Sequence, residues 1–335
     1  MAFGLALYAY DNDIARLIVE TLEEEHAQLQ NFFPLSALRG EYDAVRLNGR
    51  TCQVQAVDEF DFAQAQLAIF TATPDESRRL LPKARQAGCI VIDNSHLFNA
   101  DHKIPMMLPE LNPWVAPKVL ESRVVVPPEA SAVMLALALS PLHDAFGVSS
   151  CDATLLESVS EFGRLGTETL VRETARLMNG AGEDHEGFDA QLAFNLHTRI
   201  GTMQENGCSA HESLLADEVT RVLGELENGL NITCIQVPIF YGHTAVVHVT
   251  LEERTGLKEL EETFRACGWI SLRDNEEMLT PVTHVINERT ILISRLRACD
   301  KTGKSFRFIA MIDNTRRGEA HCCAGIAKIL AKELH

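Results

Sequence analysis

The chain has 335 residues, 46% of them apolar, which is enough for two domains of ordinary size with a substantial core. Forty-seven acidic residues against 30 basic ones leave a formal net charge of -17, which argues against nucleic acid and against an anionic membrane surface as partners. Nine cysteines, an odd number without CxxC spacing, read as reduced thiols of a cytoplasmic protein and not as a disulfide framework or a zinc site, so no metal is expected.

Along the chain, no basic segment followed by an apolar one resembles a signal peptide, and the longest apolar run, 132–139, is too short to span a bilayer. FGLALYAY (3–10) has strand character. Behind it Ile14, Leu17, Ile18 and Leu22 recur at helical spacing, with Asn12 or Asp13 as N-cap and Asp13 preferred. QLAIFTAT (66–73) reads as a strand, PDESRRLLPKARQAG (74–88) as a helix with Pro82 inside or at its end, and CIVIDNS (89–95) as a strand. Near-continuous apolar strands alternating with helices predict a doubly wound, Rossmann-like α/β domain with a buried parallel sheet. VVVPPEASAV (124–133) then stops a strand at a proline turn and enters an apolar helix, an arrangement suited to presenting a nucleophile.

From about Cys151 the pattern changes to long strands interleaved with helices, which predicts an α+β second domain. CDATLLESVSEFG (151–163) is strand-like, TETLVRETARLMNG (167–180) a helix, and AGEDHEGFDAQ (181–191) a mobile acidic loop. Ser209 and Glu212 have capping-box spacing ahead of a helix that turns Leu215, Val219 and Val222 to one side. Residues 231–253 form a long β-branched stretch, 290–298 and 305–313 read as strands, and 316–334 as a terminal helix with Gly318 near its start. The adjacent Cys322 and Cys323 read as core residues near that helix.

Four motifs in order, VIDNSHLF (91–98), LPELNP (108–113), VPIFYGH (237–243) and DNTRRGEA (313–320), resemble the aspartate-semialdehyde dehydrogenase family along nearly the whole chain. The resemblance implies a Rossmann-like nucleotide domain over 1–128 and 315–335, and an α+β dimerisation and catalytic domain over 129–314. It also implies NADP as cofactor, a homodimer formed through the second sheet, and covalent chemistry. In that family a cysteine thiolate attacks an acyl phosphate and the thioester exchanges hydride with the nucleotide.

Carried over residue by residue, much of that machinery is altered. Aligning back from Pro141-Leu142 places the nucleophilic cysteine at Ala130, whose methyl group cannot attack a carbonyl. Ser131 is a poor substitute, because an unassisted hydroxyl stays protonated and an oxygen ester accepts hydride less readily than a thioester. His243 keeps the acid–base position, and Glu157 stands at the family's glutamine. The anion clamp maps to Asn99, Gln236, His211 and Leu214, none of which offers the charged fork of arginine.

On the cofactor side, Ala9, Asn12 and Ala15 take the glycine positions of the first loop, with Asn12 the residue most tolerant of a left-handed backbone. A carboxylate such as Asp11 or Asp13 about 5 Å from a phosphate repels it by roughly 3 kcal/mol at an effective dielectric near 20. Asn94, Asn314 and Gly318 still match cofactor-contacting positions, while Cys322 and Gly325 replace polar ones.

Three readings stay open at this level. The first is an inactive paralogue of the family's enzyme, similar to its usg-type members. The second is an NADP-dependent oxidoreductase of amino-acid biosynthesis with weak or altered activity. The third is a binding module that takes a neutral or cationic ligand beside Glu129, Asp11 and Asp13.

Overall fold

A computed structural model describes residues 3–10, 12–27, 29–37, 44–182 and 187–334. The chain divides into two compact units, residues 1–129 with 319–335, and residues 130–318.

The first unit begins β1 (Phe3–Tyr8), α1 (Asp13–Glu24), β2 (Leu29–Ser36), then β3 (Ala44–Leu47), β4 (Arg50–Gln53) and β5 (Gln55–Ala56). It continues β6 (Leu67–Phe70), α2 (Pro74–Gln86), β7 (Ile90–Asp93), α3 (Ala116–Ser122) and β8 (Val124–Val125). Six parallel strands lie in the order β5-β2-β1-β6-β7-β8, while β3 and β4 form a separate hairpin. This is the doubly wound order, with its switch point between β1 and β6, where such sheets open a crevice at their carboxyl ends. Every residue of β1, β6 and β7 is buried, as the continuous apolar runs require.

Local sequence fixes the helix starts. Thr73 and Glu76 form a reciprocal capping box ahead of α2, and Pro82 sits within that helix. In α1 the cap is Asn12 and not Asp13, which occupies the first helical turn. A carboxamide Oδ1 reaches the Ala15 amide from position 12, and Asp13 is already one residue too far along.

The second unit comprises α4 (Ala130–Phe146), β9 (Val148–Glu157), α5 (Gly163–Met178), α6 (Ala210–Leu223), β10 (Leu230–Gln236) and β11 (His243–Leu251). It closes with α7 (Leu257–Ala266), β12 (Ile270–Leu272), β13 (Ile291–Ala298) and β14 (Ser305–Ile312). Its mixed sheet runs β10-β9-β11-β14-β13-β12, parallel at both ends and antiparallel between. Helix α4 is apolar all round and packs against α6, α7 and the sheet, so it forms the centre of the core and not a surface stripe. Leu215, Val219 and Val222 of α6 are buried, and Ser209 with Glu212 completes a capping box. On the opposite sheet face Leu156, Val246 and Ile309 are only partly covered.

The boundaries depart from the sequence reading in four places. The strand expected over 151–163 starts at Val148, stops at Glu157, and gives way to a 3-10 turn. The helix expected from Thr167 begins at Gly163. The stretch 231–253 is two strands broken at Val237–Gly242, because Gly242 takes φ +90° and turns the chain. The terminal helix is regular only from His321, after a turn of π-helix over Asn314–Ala320. The loop 181–191 is irregular where described, and residues 183–186 lie outside the described residues.

Candidate functional site

Within the second unit, the ends of two parallel strands and the starts of two helices bring four predicted site positions together. Register pairs Gln236 with Glu157, so both side chains leave the sheet on its helix-covered face, with Cys234 two residues before Gln236 on the same face. Ala130 is the first residue of α4, and His211 lies in the first turn of α6.

Glu157 organises the cluster. It is fully buried, its Oε1 accepts a 2.5 Å bond from Ser131 Oγ, and its Oε2 lies 2.9 Å from His211 Nε2. Gln236 Nε2 donates to the Glu157 main-chain carbonyl at 2.7 Å, and Gln236 Oε1 is buried without a hydrogen-bond partner among the described residues. Gln236 therefore spends its donor inside the sheet. Leu214 is half-buried and offers no charge.

Ala130 is buried at the helix start, with no nucleophilic atom. Gly318 packs on it so closely that a methyl group on the glycine would lie 2.5 Å from the alanine Cβ. Ser131 donates directly to a carboxylate, and the nearby histidine touches the carboxylate's other oxygen. That order lacks the serine–imidazole contact an activated hydroxyl needs.

One thiol does reach this cluster, at Cys234, which lies outside the family motifs. Its sulfur lies with a Glu157 oxygen and a His211 nitrogen inside a group spanning no more than 4.8 Å. Burial pushes the Cys234 thiol up to about 12, the neighbouring Glu157 charge adds to the rise, and the His211 contact only partly offsets it. At neutral pH about one such thiol in 10^5 is ionised, so it is a poor nucleophile as it stands.

His243 is held on both ring nitrogens. Its Nδ1 accepts from the Ser158 amide at 3.1 Å, which puts the ring proton on Nε2, and Nε2 lies 2.9 Å from Glu161 Oε2. Asn314 Oδ1 accepts from the Gly242 amide at 2.9 Å, and its Nδ2 donates to Ser160 Oγ at the same length. Asn314 thus braces the turn that delivers His243, a role sequence reasoning did not assign.

In the first unit, the loop after β1 occupies the place where a dinucleotide-binding fold receives its pyrophosphate. Ala9 takes φ +60°, the left-handed backbone of a glycine, at a cost of roughly 1–2 kcal/mol. Asn12 does not use its left-handed tolerance: it is extended at φ -82°. Its Oδ1 accepts from the Ala15 amide at 2.7 Å, and its Nδ2 donates to the Thr71 carbonyl at 2.6 Å. The side chain therefore spans the crevice at the switch point and occupies an amide that a pyrophosphate would need. The fit to a dinucleotide is poor. Asp11 lies outside the described residues.

Asn94 is also engaged within this unit, donating to Glu319 Oε2 at 2.7 Å and accepting from Cys323 Sγ at 3.4 Å. Asn99 Nδ2 lies 3.4 Å from the Pro127 carbonyl and from His96 Nδ1. Cys322 and Cys323 are buried, as expected for core residues.

Comparison with known proteins agrees with this architecture. The NAD-binding domain model of semialdehyde dehydrogenases matches residues 13–117, and the dimerisation domain model of the same enzymes matches 139–317. The chain is 29% identical over 331 residues to aspartate-semialdehyde dehydrogenase 2 of Vibrio cholerae, covering 99% of this chain and 98% of that protein. It is 27% identical to a USG-1 protein homolog of Azotobacter vinelandii, covering 99% and 98%. The crystal structure of Vibrio cholerae aspartate semialdehyde dehydrogenase II complexed with ASA superposes with a TM-score of 0.94 at 29% identity, covering both chains completely.

Proposed function

Because this chain belongs to the semialdehyde dehydrogenase family, we propose that it is a homologue of aspartate-semialdehyde dehydrogenase that retains the scaffold without the covalent chemistry. The observation that carries this reading is Ala130 at the head of α4, where the family resemblance places the nucleophile. The surroundings supply no replacement. Ser131 is tied to Glu157, and the Cys234 thiol is held protonated by burial. The clamp positions point the same way. Gln236 is spent on a main-chain carbonyl, and Leu214 is apolar.

The nucleotide loop follows the same trend. A capped helix start and the Asn12 bridge to Thr71 support weak or absent NADP binding. The half-covered sheet face bearing Leu156, Val246 and Ile309 supports a homodimer. Nine free thiols fit the reducing cytoplasm, and among the described residues no helix is long and apolar enough to cross a membrane.

The test is an assay with aspartate semialdehyde, phosphate and NADP, on protein expressed in a host lacking its own enzyme. The expected result is no phosphate-dependent NADPH formation. Turnover that copurifies with the chain and disappears on Glu157→Ala would overturn the reading and favour an oxidoreductase of altered mechanism.

A further inference from the structure

Glu157, His211 and Cys234 form a ligand set that no part of the family comparison assigns. We propose that they bind a single divalent transition metal of the zinc type, with the fourth coordination position left to solvent or a small ligand. The proposal stands independently of whether the covalent route has been lost.

The geometry carries it. One carboxylate oxygen, one imidazole nitrogen and one sulfur all lie within 4.8 Å of one another, and the oxygen–nitrogen pair is 2.9 Å apart. Tetrahedral zinc bonds of 2.0–2.3 Å place neighbouring ligand atoms about 3.3–3.6 Å apart. The sulfur closes in and the oxygen–nitrogen pair opens slightly, both small side-chain motions. A mixed sulfur, nitrogen and oxygen set selects zinc, cobalt or nickel over magnesium or calcium, which want oxygen alone.

Charge and support point the same way. A thiolate, a carboxylate and a neutral imidazole balance a divalent cation, so the filled site buries no net charge. On binding, the Cys234 thiol proton is released to solvent, and the proton that His211 Nε2 donates to Glu157 moves to Nδ1, which frees Nε2 to ligate as a neutral imidazole. Ser131 Oγ holds the second oxygen of Glu157, and Gln236 fixes that residue's main chain, the outer bonds a ligating carboxylate requires. Glu157 and Cys234 are fully buried, while the His211 side chain is 13% exposed and marks the way in. The nearby starts of α4 and α6 oppose a cation, an effect small beside three coordinate bonds.

The experiment uses the whole chain, stripped with chelator and titrated with Zn2+ against a competing indicator, and separately with Co2+. One equivalent of zinc per chain is expected, with affinity falling about 100-fold or more in Cys234→Ser and His211→Ala and about 10-fold in Ser131→Ala. The Co2+ complex of the unmodified chain, which needs no variant to fold, should show a sulfur-to-metal charge-transfer band and intense tetrahedral d–d bands. Substoichiometric zinc, a cobalt complex without the sulfur band, or variants that bind as tightly as the parent would each overturn the proposal.

Discussion

Gly318 meets Ala130 so closely that the glycine has no room for a side chain: a Cβ on Gly318 would stand 2.5 Å from the Ala130 Cβ and 3.0 Å from its Cα. Since Cα and Cβ are not flexible ends, the backbone itself must shift to admit a methyl group. Gly318→Ala should therefore cost about 1–3 kcal/mol, the usual penalty of overpacking. Urea denaturation reads this directly, and an unchanged midpoint would contradict the contact.

Restoring the two lost family residues should not restore the reaction. An arginine at 236 would enter beside Glu157, a buried carboxylate, and pair with it instead of reaching outward for substrate. Ala130→Cys combined with Gln236→Arg is expected to give no phosphate-dependent NADPH formation. Its appearance would mean that the pocket and the nucleotide loop are otherwise competent.

Asn12 caps α1 and bridges to Thr71 with the same side chain. Asn12→Ala should lower stability by about 1 kcal/mol, and Asn12→Gly by only a few tenths through the cap. Calorimetric titration of the parent with NADP should give no heat at concentrations that saturate an authentic relative.

Asn314 is fully buried and holds the Gly242 amide and the Ser160 hydroxyl. Asn314→Ala leaves that amide without its acceptor, at a cost of about 1–3 kcal/mol. The His243 ring is delivered by that turn onto the Ser158 amide, which sets its tautomer. Long-range proton–nitrogen NMR of the parent should show the proton on Nε2, and a signal averaged over both nitrogens would count against the Ser158 contact.

Burial raises three thiols, Cys89, Cys151 and Cys234, from 9.0 to about 12. The unfolded chain ionises these groups from pH 9 upward while the folded chain keeps them protonated. Folding stability is therefore intact below pH 9 and falls as pH rises toward 12, by about 1.4 kcal/mol per pH unit for each thiol. Denaturation midpoints at pH 8 and pH 10 measure the slope, which should drop in a Cys151→Ala variant after correction for its lost packing.

Much of this was legible because it is local. The apolar runs at 66–73 and 89–95 announce buried parallel strands, Ser209 and Glu212 announce the start of α6, and Ala130 is readable from a short turn flanked by Pro128 and the helix. What stayed hidden depends on long-range register. Cys234 meets Glu157 only because β10 and β9 pair in parallel and α6 packs over them, which no spacing in the sequence records. Asn314 was assigned to the cofactor by motif, yet its hydrogen bonds run into the His243 turn. The break in the 231–253 stretch falls on Val237–Gly242, where Pro238 and the left-handed Gly242 interrupt a run whose β-branched residues favour continuing the strand.

The Asn12 bridge has a consequence for what this chain can respond to. In a dinucleotide-binding fold the first loop offers backbone amides to the pyrophosphate. Here the donor at Ala15 is already answered from within the chain, and the crevice is stitched by a side chain to the strand opposite. The Ala15 amide is therefore satisfied before any ligand arrives.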